Sequence, residues 1–207
     1  LVVCEFGVLP HKCSAAFSTV AKPPNLPSAG TAVHGIPDGE LAQGPTFPEA
    51  FLRFLAFMDN LLCTFTSDIG SSDDEPDFAT RFKESPQVLL CGHNLLKFDA
   101  PFMLSECLRN RMTVDCFERW LFVDTLDLFR AVDAELIKGC YKLQCLRHCA
   151  QSRGSLSAHR ALSACVVLRA VTMWLAERLG HTVEVLLGRF AVIVNMQQTI
   201  VNMSSVL

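Results

Sequence analysis

The sequence predicts an α/β domain, and three observations predict it. Short β-rich apolar runs, such as Leu1-Val2-Val3-Cys4 and Trp120-Leu121-Phe122-Val123, alternate with segments whose apolar residues recur at helical spacing. At 207 residues the chain suits one domain with a full-sized core. Half of it is apolar and only 19% is charged, which places it with folded rather than disordered chains.

The elements follow in order. Leu1 to Leu9 reads as a strand closed by Pro10, and Ala15 to Ala21 as its hairpin partner, ended by Lys22-Pro23-Pro24-Asn25. A loop through Val33-His34-Gly35-Ile36-Pro37 leads on to Thr46-Phe47-Pro48-Glu49. That tetrad is a capping box with proline just inside a helix start, and Phe51, Leu55, Met58 and Leu62 continue it at helical spacing. Residues 66–86 are polar, acidic and turn-rich, so they read as a surface loop inserted between elements that need each other. Val88 to Cys91 is a buried strand, Ala100 to Arg111 a helix, Trp120 to Asp124 a strand and Thr125 to Ala134 a helix. Lys142 to Ala150 is a short helix, and Ser157 to Leu179 a long one stopped by Gly180. One domain is expected over residues 1–182. The tail, 183–207, has no convincing period and reads either as an added helix or as sequence without settled structure.

Charge and cysteine usage narrow the function classes. A formal charge of −3 gives no overall electrostatic footprint for nucleic acid, so any such binding needs a local patch or metal ions. The ten cysteines are irregularly spaced, and Cys63, Cys91, Cys107, Cys145 and Cys165 sit in apolar segments where a free thiol packs as a small hydrophobe. A reduced, intracellular compartment is the expectation. Cys140, Cys145, His148 and Cys149 lack the paired C-x2-C of structural zinc sites, so packed thiols are expected there rather than zinc. The apolar run Val185 to Val194, interrupted by Gly188 and Arg189, is shorter than the roughly 20 residues a bilayer demands, so no membrane partner is expected. The chain opens at Leu1 already inside an apolar run and reads as a fragment.

The chemistry concentrates in Leu90-Cys91-Gly92-His93-Asn94-Leu95-Leu96-Lys97-Phe98-Asp99-Ala100-Pro101-Phe102-Met103. An apolar run ends in Gly-His-Asn, a short turn follows, and Phe-Asp opens an amphipathic segment. Asp99 is thereby placed at a helix start beside the end of a buried strand. An aspartate there can serve simply to offset the helix macrodipole. The wider context, however, resembles the second motif of the DEDDh 3′–5′ exonucleases, the DnaQ-like branch of the ribonuclease H-like superfamily. Ala158-His159-Arg160-Ala161-Leu162-Ser163-Ala164 resembles that family's third motif up to its aspartate, where Ala164 stands. Val33-His34-Gly35-Ile36, Phe47-Pro48-Glu49-Ala50-Phe51, Phe122-Val123-Asp124-Thr125-Leu126 and Lys142-Leu143-Gln144-Cys145-Leu146 resemble other family segments in order.

The resemblance implies a ribonuclease H-like fold, with a mixed central sheet flanked by helices. It implies hydrolysis of DNA or RNA 3′ ends with two Mg²⁺ or Mn²⁺ ions, which hold the attacking hydroxide and the leaving oxygen. Hard cations facing a phosphate call for several carboxylates. Asp99 would be a metal ligand and His159 the general base, with His34, Asn94 and Phe98 as candidates for substrate contact. The family's first motif is Asp-x-Glu on its first strand. Glu5 fits that register with the aspartate lost, but Cys4-Glu5-Phe6-Gly7-Val8 fits the family's second strand better, so the first strand is expected to be missing from this chain. Its absence would leave a gap beside the opening hairpin, with unpaired edges that invite other chains. With the catalytic set incomplete, the rival expectation is a catalytically dead module that binds nucleic acid or protein. Asp124 is expected to be a helix cap rather than a ligand.

Overall fold

The computed structural model describes residues 5–10, 14–25, 35–67, 88–132, 140–150 and 160–193, with residues 63–67 described in backbone only. Strands β1 (Glu5–Val8) and β2 (Phe17–Val20) form an antiparallel hairpin, with Glu5 opposite Val20 and Val8 opposite Phe17. A short helix α1 (Asp38–Gln43) precedes α2 (Phe47–Ser67). The predicted capping box is present: the Thr46 amide and hydroxyl donate to the Glu49 carboxylate at 2.8 and 2.9 Å.

Next come β3 (Val88–Gly92), α3 (Asp99–Arg109), a single turn α4 (Asp115–Glu118), β4 (Trp120–Asp124) and α5 (Thr125–Val132). Then follow α6 (Leu143–Cys149), α7 (Ala161–Arg178), α8 (Val183–Gly188) and β5 (Val192–Ile193). β3 and β4 pair in parallel from Val88–Trp120 to Gly92–Asp124, joined by a helical crossover as parallel pairs require. β5 adds antiparallel to the far side of β4, giving a mixed three-stranded sheet. The β1–β2 hairpin is a separate two-stranded sheet among the described residues.

Alternation along β4 divides the interior into two cores. Trp120 and Phe122 join Phe6, Phe47, Phe51, Phe54 and Phe117 in an aromatic core. Val123 points the other way, into an aliphatic core with Leu128, Leu146, Val167, Val171 and Leu175. The hairpin and the larger sheet both bury side chains in the aromatic core, through Phe6 on one and Val88, Trp120 and Phe122 on the other. Burying each such ring stabilises the fold by about 1.5–3 kcal/mol.

α7 leans on β1 at closest range over Gly7. A Cβ at that position would stand 2.5 Å from the Leu162 amide nitrogen, so only glycine admits the helix there. At its other end α7 stops as expected at Gly180, whose φ of 66° continues into a bond from His181 N–H to the Ala176 carbonyl at 2.9 Å.

Several expectations need correction. Asp38–Gln43, between the expected loop and the capping box, where no element is expected, forms a helix that buries Leu41. Of the two readings of the tail, the added helix holds at Val183–Gly188: the Thr182 hydroxyl caps α8, Leu186 and Leu187 enter the aliphatic core, and β5 then extends the sheet. Residues 194–207 lie outside the described residues, as do 68–87 of the acidic loop. Cys145 is not a free packed thiol; it forms a disulfide with Cys140. The spacing of two cysteines alone does not reveal whether their side chains meet. Cys91, Cys107 and Cys165 are free, as expected. Among the described residues no helix is long and apolar enough to cross a membrane.

Candidate functional site at the strand ends

β3 and β4 run in parallel, so their C-terminal ends finish side by side at Gly92 and Asp124. The turn after β3 is tied down by Asp124. One of its carboxylate oxygens accepts from the Asn94 amide at 2.9 Å and from the Leu126 amide at 3.0 Å. The other accepts from the Leu96 amide at 3.1 Å. Asp124 is therefore a cap for α5, as expected, and also a clasp for the turn of the neighbouring strand. Asn94 takes a left-handed backbone there, with φ at 65°, a conformation asparagine tolerates better than most residues.

His93 anchors the same turn from below. Its Nε2 lies 2.8 Å from the Tyr141 carbonyl, which can only accept, so Nε2 carries a proton. Nδ1 stands 3.0 Å from the Thr125 hydroxyl, whose single proton also has the Gly92 carbonyl within reach at 3.1 Å. Burial holds the His93 pKa below its ordinary value, partly offset by the bond to Tyr141 and the charge of Asp124. His93 is thus a fixture of the scaffold.

The clasped turn presents Lys97, Phe98 and Asp99, all exposed, at the head of α3. Phe98 is 51% exposed and meets Phe102 edge-to-face at 4.8 Å between ring centres. Asp99 is the first residue of the helix. Protein crowds its carboxyl although its rim meets solvent, and this lost hydration raises its pKa to about 6, with a further contribution from the charge of Asp124. Opposite stands α7. Cys165 donates to the Gly7 carbonyl at 3.2 Å; burial lifts its pKa to about 11, and the charge of Asp99 adds to the shift.

Asn94, Phe98 and Asp99 thus share one turn. Asn94 contributes its backbone to the clasp, while Phe98 and Asp99 offer their side chains to solvent. His159 and His34 lie outside the described residues. Ala164, where the sequence resemblance would set an aspartate, is exposed on the first turn of α7.

Glu5 supplies a contact that sequence reasoning did not foresee. Its nearly buried carboxylate accepts from Arg160 Nε at 3.0 Å and from the Ala161 amide at 2.8 Å, capping α7 from β1. Arg160 also reaches Glu40 on α1 at 2.8 Å and so links that short helix to the start of α7. No local signal marks a pair 155 residues apart.

Among the described residues, few carboxylates are left for divalent ions, which take hard oxygen ligands. Both oxygens of Asp124 already serve backbone amides, Glu5 serves Arg160 and Ala161, and Ala164 offers a methyl. Among the described residues no three His, Cys, Asp or Glu side chains converge as a metal-holding group. Cys140 and Cys145, joined to each other, offer no thiolates to zinc. Comparison with known proteins finds no family model that matches the chain and no match among curated proteins.

Proposed function

We propose that this chain is a ribonuclease H-like domain of DEDDh exonuclease type that binds without cutting. Its ligand class is the 3′ end of DNA or RNA, and its compartment is intracellular. The order of resembling segments along the sequence supports the family. The exposed Phe98, beside the exposed Lys97, supports contact with a nucleotide, since an aromatic face accepts any base.

A single observation carries the loss of catalysis: among the described carboxylates at the strand ends, Asp99 is the one bonded by no donor beyond its own backbone amide. One carboxylate does not neutralise and position two ions, and the family's Mg²⁺ or Mn²⁺ chemistry is mainly electrostatic.

The test is Mn²⁺-dependent shortening of a 5′-labelled single-stranded oligonucleotide by purified chain, with Asp99→Asn as control and a gel shift run in parallel. Retention without shortening is expected. Shortening that the control abolishes would restore the hydrolytic reading. A folded chain that neither retains nor shortens the oligonucleotide would leave a protein partner as the ligand.

A further inference from the structure

A cavity of about 220 Å³ opens at the opposite end of the sheet from Asp99, between α2, the start of β3 and the junction of α4 with β4. Leu55, Met58, Val88 and Trp120 give it apolar walls, and Asp59 and Arg119 give it one charge of each sign. Both charged side chains are exposed at its rim, and among the described residues neither makes an ion pair, so each is open to a ligand there.

Size and lining select what that ligand is. An apolar cavity of roughly 150 Å³ suffices for benzene. This one has room for one ring and a short polar tail. A guanidinium matches a carboxylate in bidentate geometry, and a carboxylate matches an ammonium. A few polar groups on apolar walls are the usual makeup of a small-molecule site.

We propose that this cavity binds a free α-amino acid of phenylalanine's size. The side chain lies against Trp120 and Met58, the carboxylate meets Arg119, and the ammonium meets Asp59. A ligand this small is held with a dissociation constant on the order of millimolar. The site stands apart from the strand-end turn and does not depend on how that turn functions.

The chain has two tryptophans, so Trp174→Phe leaves Trp120 as the sole indole reporter. Titration with L-phenylalanine should change its fluorescence saturably, with a millimolar midpoint. Phenethylamine and 3-phenylpropionate, each lacking one charge, should bind roughly tenfold more weakly. Arg119→Ala should weaken L-phenylalanine about tenfold and leave phenethylamine unchanged; Asp59→Ala should do the converse. Should Trp174→Phe fail to fold, the Met58 methyl resonance of the unaltered chain reports the same titration. Absence of a saturable change in folded protein would overturn the proposal. So would equal affinity for all three compounds, which would mean apolar filling without recognition.

Discussion

Two aspartates close neighbouring parts of this molecule and do opposite things. Asp124, at the end of β4, is 3% exposed and gives every available oxygen to backbone amides. Asp99, at the head of α3, faces solvent and carries a raised pKa. The same side chain is architecture in one place and a solvent-facing acid in the other. What separates them is whether backbone donors converge on the carboxylate. Convergence fixes the charge, whereas crowding with only the residue's own amide as donor leaves the charge costly and available.

The contrast is best broken at Asp124. Asp124→Ala strands three amides around a buried site, and the loss should be at least about 3 kcal/mol in urea or thermal unfolding. A loss under 1 kcal/mol would mean that the turn holds without its clasp.

Glu5 is the intermediate case, a carboxylate spent on one guanidinium and one amide. Glu5→Gln should cost about 1–3 kcal/mol, and exchange of the Ala161 amide should speed up at the start of α7. An unchanged exchange rate would show that Glu5 is not what caps that helix.

Asp99 should give the smallest effect and an unusual sign. Its folded pKa, near 6, lies above the ordinary 3.8. The folded state therefore resists ionisation, and stability falls as pH rises from about 4 to 6 before levelling off. Asp99→Asn should then stabilise slightly at pH 7 and not at pH 4, as read by melting temperature at the two values. Carboxyl NMR placing Asp99 near 4 would remove the distinction between the two aspartates.

Much of this was legible before any coordinates. The capping box at Thr46, the strands at Val88 and Trp120 and the stop at Gly180 are local devices, and local devices are written in consecutive residues. Asp124 was legible by half: its bond to Leu126 follows from position, but those to Asn94 and Leu96 come from a strand 30 residues away. The helix at Asp38 escaped notice because it is six residues long and buries one side chain. The tail lacked a readable period, because α8 and β5 are too short to establish one and take their order from the aliphatic core and from β4. Asp99, Asn94 and Phe98 were legible together because they lie within one turn. The exhaustion of Glu5 was hidden, since its partners begin at Arg160.

Gly7 leaves a trace of another kind. Any relative that keeps this helix against this strand must keep a residue without a side chain at that spot, whatever has become of its chemistry. Side chains that carry chemistry change when the chemistry changes, but the helix still has to fit. For tracing distant kin, that blank letter should outlast the acidic ones.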